Sequence, residues 1–365
     1  MNSNYKLFSK ISNLSLFTLI LILSFFKIII YILIKNQVFE IPLGGGNDSI
    51  YYDEYARGYI NIAVNIWPVI LRYLNEYNLY SRNNISYLFL YFNLFLIPII
   101  VCKLADLNFK KQQKYYLYLF LICVIYPTMY FYTLDIYRDL FMVLVFLIGC
   151  LFVRASIEKS SLLQYLFLSI ISLLIGIFLV MLRPYLGYAF LLSLILWKIR
   201  FNKKRIIFLG VLYFLTLFVA SYIGVLESIT EYREIFEELG GGSTLGLDFS
   251  NPMMFIPNFI LSILGQLFGL YITNPLAVII LLIETVPFTF MLGYVIKNIK
   301  LADSFSRFLI IFFVLYASVW LIGNDNLGTA LRLRMYNYLA IYICFFHIVK
   351  AKTLSKSNEL RSSYL

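Results

Sequence analysis

Charge is scarce in this chain: Asp, Glu, Lys and Arg together make up 13% of its 365 residues. A soluble domain carries roughly a quarter, so an ordinary water-exposed globule does not fit. Histidine occurs once, at His347. The four cysteines, Cys102, Cys123, Cys150 and Cys344, lie within or beside apolar runs and show no Cys-x-x-Cys spacing. That argues against a disulfide framework and against a His/Cys metal site. No internal repeat is visible, which leaves an inverted-repeat transporter without support. Gly240-Gly241-Gly242-Ser243-Thr244 lacks the lysine and the strand–helix setting of a phosphate loop and reads as a hinge. No cofactor is expected, and no spacing among the loop acids specifies a metal.

Apolar sequence is what the chain has in abundance: 61% hydrophobic and 19% aromatic residues. Runs of about 18 or more apolar residues recur from end to end, each long enough to cross a hydrocarbon core of about 30 Å. The expected fold is an all-α polytopic membrane protein, a single integral membrane domain over residues 1–365 with the lipid bilayer around it. Spans are expected near 13–35, 86–104, 114–133, 138–154, 162–183, 184–198, 205–223, 275–296, 306–323 and 335–350. The run from Leu16 to Ile34 is too long for a signal-peptide core and has no small-residue cleavage site, so it reads as the first span. Segment 255–272 reads as a re-entrant or interfacial helix, and 59–80, with Trp67-Pro68, as another interfacial helix. Two long loops remain, 36–85 and 224–274, the second including the 255–272 segment.

The net charge of +11 could suggest nucleic acid, but its distribution points to membrane orientation instead. With the N-terminus and its Lys6 and Lys10 in the cytoplasm, Lys103, Lys110, Lys111, Lys198, Lys203, Lys204, Lys297 and Lys300 fall on that side. So does the tail with Lys350, Lys352 and Lys356, which makes both termini cytoplasmic. The outer side keeps one lysine, Lys35. Arg138, Arg183, Arg332 and Arg334 stand there at helix ends, accompanied by Asp48, Asp53, Asp135 and Asp139. The positive-inside bias accounts for lysine left behind, but arginine on the outer side needs another reason, such as an anionic substrate. Heavy use of Ile, Asn, Lys, Phe and Tyr suggests an AT-rich bacterial genome and hence a bacterial inner membrane.

Three arginine-bearing helix ends carry the candidate chemistry. In Asp135-Ile136-Tyr137-Arg138-Asp139 an arginine can grip an anion while Asp139 orients it; the plainer alternative is a helix start with Asp139 at the dipole. In Leu182-Arg183-Pro184-Tyr185 the proline stops one helix and starts the next, fixing Arg183 and Tyr185 at the boundary. The third is the polar turn from Gly323-Asn324-Asp325-Asn326 to Arg332-Leu333-Arg334. A spacing of two separates its arginines on a helix, whereas an irregular turn would aim both at one ligand. Guanidinium forks bind phosphate oxygens bidentately, so the set suits a diphosphate. Asp48 follows Gly44-Gly45-Gly46-Asn47 and shares a helical face with Tyr52 and Tyr55, while Asp53 lies on another side. In an inverting glycosyl transfer a carboxylate must take the proton of the attacking hydroxyl. Asp48 is the first choice for that base and Asp53 the second, with Asp139 the remaining catalytic candidate. Tyr52, Tyr185, Asn324 and Asp325 complete the set as sugar-binding residues. Glu284, in mid-span, is either a proton or ion site or a carboxyl hydrogen-bonded to Thr285, Thr289 or a neighbouring helix.

With its spans, its outer arginines, its long late loop, the Tyr137-Arg138-Asp139 run and the Arg332-x-Arg334 turn, the chain resembles Wzy-type O-antigen or capsule repeat-unit polymerases of the wider GT-C class. Loop 224–254 departs from that pattern in being modest and acidic rather than large and basic. The resemblance implies a glycosyltransferase that joins undecaprenyl-diphosphate-linked oligosaccharides at the periplasmic face, with other polysaccharide-assembly membrane proteins as partners and no nucleic acid. A GT-C transferase using a polyprenyl-monophosphate sugar is the alternative, since an Asp in the first outer loop is the expected catalytic residue there. A lipid-linked oligosaccharide flippase is the weaker one, because only Lys27 and Glu284 are charged and deep.

Overall fold

The computed structural model describes residues 11–38, 46–159, 161–200, 202–238 and 243–362. Gly44, Gly45 and Gly240 to Gly242, singled out above, lie outside these residues. The chain divides into two compact units, Met1–Tyr188 and Ala189–Leu365. The first holds α1 (Asn13–Lys35), α2 (Gly46–Ala56), α3 (Ile66–Glu76), α4 (Arg82–Leu104), α5 (Gln113–Ile125), α6 (Pro127–Phe131), α7 (Arg138–Ile157), α8 (Leu162–Leu182) and the start of α9 (Pro184–Leu196). The second holds the rest of α9, then α10 (Lys203–Tyr222), α11 (Glu227–Glu238), α12 (Pro252–Leu267), α13 (Pro275–Lys297), α14 (Ser304–Gly323) and α15 (Leu327–Ser362). Among the described residues 7 helices are long and apolar enough to cross a membrane, and α5, α9 and α12 are shorter apolar helices. The protein is an all-α polytopic membrane protein.

Each expected span coincides with a helix, with departures at two of them. The span expected at 114–133 is broken, because Tyr126 takes ψ 105 ahead of Pro127 and the ring cannot follow on from an α-helical residue. Lys27 of α1 donates to the Val124 carbonyl at 2.5 Å, at the end of α5, and the Tyr130 hydroxyl of α6 donates to the Lys27 carbonyl at 2.7 Å. The segment at 255–272, expected as a re-entrant or interfacial helix, is, from Pro252 to Leu267, 11 residues of α-helix followed by five of π-helix. At about 1.5 Å per residue this is too short to cross unaided. The last span is the middle of a 36-residue helix that begins at Leu327. The expected irregular turn therefore ends earlier, and Arg332 and Arg334 point from separate faces of α15, roughly 200° apart.

Burial divides the helices into two kinds. Leu14 and Phe25 on α1, Leu163 and Phe167 on α8, and Ile207 and Phe208 on α10 are exposed, as expected where lipid tails are as apolar as leucine. By contrast α15 is buried along most of its length from Leu333 to Val349. Its Asn337 is satisfied by neighbours, accepting from Trp320 Nε1 at 3.0 Å and donating to the Phe313 carbonyl at 2.9 Å. Two π-helical turns, Phe92–Leu96 in α4 and Leu281–Thr285 in α13, each stand just before a proline, Pro98 and Pro287. Proline offers no N–H to the preceding turn and crowds its carbonyl, and a widened turn accommodates both effects.

Close approach of α8 and α9 depends on Gly187, where a Cβ would run into the Val180 backbone. Because backbone cannot swing aside, Gly187→Ala should destabilise the protein by about 1–3 kcal/mol. A thermal melt of the detergent-solubilised protein measures this, and an unchanged midpoint would mean that the hairpin is more open than described.

Candidate functional site

In the first unit the chain leaves α1 and forms two short helices, α2 and α3, before entering α4. Asn65 caps α3 by accepting from the Trp67 N–H at 2.9 Å. Trp67 then fixes this helix to the chain ahead of α7, donating its indole N–H to the Ile136 carbonyl at 2.9 Å. Its ring stacks on Phe89 and Phe141, with centroids 5.8 and 4.7 Å away. That anchoring sets α2 beside the start of α7.

As expected for a helical 46–56 segment, Asp48 and Tyr52 share a face and Asp53 has different company. Asp53 accepts from Tyr80 Oη at 2.5 Å and Arg57 Nε at 3.0 Å, with Arg82 Nη1 3.9 Å away. Arg82 also forks onto Asp135 and reaches Ser49 Oγ at 3.2 Å. Burial alone would raise the Asp135 carboxyl. The Arg82 hydrogen bond and charge, the Ile136 N–H and Lys35 together hold it below its ordinary value of 3.8. Asp53 and Asp135 thus brace the α2 region, and an Asp53 engaged by two donors, with the Arg82 charge nearby, is poorly placed to take a proton.

Tyr52 is buried and half-buried Asp48 shares its face. Burial pushes the Tyr52 phenol above its ordinary value. Arg138 draws it back, Asp48 and Asp139 add to the rise, and Asn65 gives it a hydrogen bond. Asp48, Asn65, Arg138 and Asp139 are therefore all within electrostatic reach of Tyr52. Arg138 is the first residue of α7, and its Nη1 donates to the Leu182 carbonyl at the end of α8, 3.1 Å away. Asp139 pairs with Arg183 at 3.3 Å, the two side chains 1% and 4% exposed. Arg183 takes an extended φ of −156° between α8 and Pro184, and its guanidinium carbon lies 5.7 Å from the Tyr185 ring. Five expected site residues, Asp48, Tyr52, Arg138, Asp139 and Arg183, come together here with Tyr185 alongside. Asp139, buried against a guanidinium, suits holding Arg183 in place. Asp48 keeps the solvent access a base needs.

In the second unit Asn324 and Asp325 do not sit in a solvated turn: they are 2% and 0% exposed. Arg233 of α11 pairs with Asp325 and donates to the carbonyls of Leu247 at 3.0 Å, Ile322 at 3.3 Å and Asn324 at 2.7 Å. It thereby satisfies the last carbonyls of α14 with a cation, which also suits the helix dipole. Asp325 accepts from the Gly246 N–H at 3.0 Å, Leu327 donates its N–H to the Ser243 carbonyl at 2.9 Å, and Thr244 bridges Asn326. Gln266 of α12 donates to the Asn324 carbonyl at 2.7 Å and accepts from the Asn324 side chain. Asn324 and Asp325 therefore tie loop 243–250 and α12 to the end of α14. Arg332 is half-buried, whereas Arg334 is buried against Glu284 at 3.1 Å.

Sequence reasoning passed over Arg82, Asn65, Arg233 and Gln266. One signal was available for Arg233, which is the single cation within the acidic run Glu227 to Glu238. Among the described residues no group of three or more His, Cys, Asp or Glu side chains could hold a metal. Comparison with protein families, characterised proteins and solved structures gives no match.

Removing Arg233 leaves Asp325 buried without its charge partner, so Arg233→Ala should destabilise the protein by about 3–5 kcal/mol. Limited proteolysis should find new cleavage between 243 and 250; a loop as protected as in the unaltered protein would show that the pair does not hold it. The depressed Asp135 carboxyl contributes stability above its ordinary value of 3.8 that is lost as pH falls through the lower folded-state value. Asp135→Asn should therefore melt earlier than the unaltered protein at pH about 7, and the gap should close only in strong acid. A gap that is the same at both ends of the pH range would rule out this carboxylate as its source.

Proposed function

We propose that this protein is a membrane glycosyltransferase that joins oligosaccharide repeat units carried on undecaprenyl diphosphate. It acts at the periplasmic face of a bacterial inner membrane, in O-antigen or capsule synthesis. The observation that supports this reading best is the gathering of Arg138 and Asp139, from the start of α7, and Arg183, from the end of α8, beside Tyr52 and Asp48. The reaction needs these groups in these roles. Asp48 accepts the proton of an acceptor hydroxyl as its oxygen forms a bond to the anomeric carbon of the donor. The bond from that carbon to the diphosphate oxygen breaks, and the developing negative charge falls to Arg138 and Arg183. Asp139 and the Leu182 carbonyl hold the two guanidiniums ready, so little reorganisation accompanies the charge shift. The phenol rings of Tyr52 and Tyr185 suit a sugar ring and its hydroxyls.

The position of Asp48, in the first helix after α1, also suits a transferase that takes a single sugar from a polyprenyl monophosphate. The surface polysaccharide of a deletion strain, displayed on a gel beside the complemented strain, separates these readings. Polymerisation requires collapse of the ladder to a single repeat unit. A ladder of normal length lacking a sugar would favour the monophosphate transferase, and lipid-linked units trapped inside would favour transport. In the complemented strain Asp48→Asn should cut polymer roughly 100-fold or more, the contribution typical of a general base, while Asp53→Asn should act mainly through reduced protein levels. Wild-type ladders from Asp48→Asn at normal expression would remove Asp48 from the chemistry.

A further inference from the structure

Between α2 and α3 the chain turns apolar side chains outward and its backbone inward. Tyr59, Ile62 and Val64 are between 74% and 78% exposed. The backbone that carries them is nonetheless bonded to the protein. The Tyr59 N–H donates to the Glu54 carbonyl at 2.9 Å, closing α2 after Gly58, whose φ is 85°. Tyr51 Oη donates to the Ile62 carbonyl at 2.5 Å and accepts from the Val64 N–H at 3.1 Å. Arg72 of α3 donates to the Ile60 carbonyl and, through Nε, to the Tyr55 carbonyl at 2.9 Å. Its guanidinium carbon lies 3.8 Å from the centroid of the Tyr55 ring. In water such backbone groups can bond to solvent; only in an apolar layer must the protein satisfy them itself.

The bond from Arg72 to Ile60 brings this loop against the last turns of α3, where Tyr73, Tyr77 and Leu79 are also exposed. The sequence places an interfacial helix over 59–80, yet α3 itself turns Trp67, Pro68 and Leu71 inward. The outward apolar groups stand before it and at its end. Single exposed apolar residues need no explanation, but six along one stretch do. Their surroundings follow from α4, which begins at Arg82, three residues after Leu79. Its Tyr87, Tyr91, Phe95 and Ile99 are exposed at every fourth position, one stripe down an apolar helix of membrane-spanning length. That stripe faces lipid, and the tyrosine-rich surface lies just beyond its upper end. Asn75, Glu76 and Asn78 are exposed beside Tyr77, which suits the polar headgroup layer and not the hydrocarbon core.

We propose that loop 59–64 and the end of α3 rest in the headgroup layer of the bilayer, at the membrane surface where α1 ends and α4 begins. Tyrosines, polar at one end and apolar along the ring, meet the headgroups, and Ile62, Val64 and Leu79 reach the upper acyl chains. Tyr51 and Tyr55 belong to α2, so the same contact fixes the depth of Asp48 and Tyr52 on that helix. On the reading that the protein takes a lipid-linked diphosphate, its site then stands at headgroup level, and the substrate reaches it without leaving the membrane.

The test uses the full-length protein in vesicles of phosphatidylcholine with a minority of phosphatidylglycerol. The native cysteines Cys102, Cys123, Cys150 and Cys344 are buried, so a thiol-reactive fluorescent dye attaches selectively in Ile62→Cys or Tyr77→Cys. Each dye should lose about half or more of its emission to a nitroxide on the upper acyl chain, about 5–10 Å below the headgroups, and should be shielded from aqueous iodide. Iodide access without nitroxide quenching at either position of a folded variant overturns the proposal, because the surface then lies in water. Shielding from both quenchers overturns it as well, since a second copy of the chain then covers the surface. Position 62 is in the loop and 77 follows α3, so if a thermal melt shows that one variant does not fold, the other decides. Dye depth does not depend on product. A deletion strain with an unaltered ladder would therefore sink the repeat-unit reading and leave a membrane contact seen by the dyes standing.

Discussion

An arginine buried in an apolar protein has to bring its counter-charge with it, and much of this structure is arranged around that requirement. Arg183 meets Asp139, Arg233 meets Asp325, and Arg334 meets Glu284, all six side chains at most 4% exposed. Each pair joins segments distant in sequence. Desolvating two charges costs several kcal/mol per ion, which the pair recovers only when its remaining hydrogen-bonding capacity is also satisfied. Arg233 meets that condition with the carbonyls at the end of α14. Arg138 takes the carbonyl at the end of α8. These bonds are specific in direction, so they set where the helix ends sit more sharply than apolar contact could.

Helix irregularity supplies the second part of the arrangement. Pro127 breaks α5 from α6, and Pro184 divides α8 from α9 with Arg183 at the joint. The π-helical turns ahead of Pro98 and Pro287 shift the register of everything beyond them by a fraction of a turn. Glu284 lies inside one such turn, and that placement brings its carboxylate to Arg334. Rigid joints of this kind suit a site whose groups must be preorganised, since developing charge is stabilised best by donors that do not have to move.

Roles divide among the carboxylates by their company. Asp53 and Asp135 share Arg82 and brace the short helices of the first unit, Asp139 and Glu284 hold arginines, and Asp325 holds a loop. Asp48 is half-buried and shares a face with Tyr52, near Arg138. A proton acceptor needs access to its substrate, and this places Asp48 ahead of the buried Asp139, Glu284 and Asp325 as the base of the proposed reaction.

The amino-acid sequence by itself determined the membrane class, the rough bounds of most apolar helices, and the helix ends where polar and charged residues gather. All three follow from local quantities: hydropathy over a window, the backbone rules of proline, and the scarcity of arginine in an apolar chain. Asp48, Tyr52, Arg138, Asp139 and Arg183 were legible because polar residues at the ends of apolar runs stand out one by one. Which of them touch was not legible, because pairing depends on segments as far apart as Arg233 and Asp325, and no spacing in the chain encodes that meeting. Only the tertiary structure decided that Asp53 is a brace, that Asn324 and Asp325 are interior, and that α15 begins early enough to turn Arg332 and Arg334 apart. The physical reason is the same in each case: a side chain's role depends on its solvent access and its counter-charge, and both are properties of the packed helices rather than of the residue.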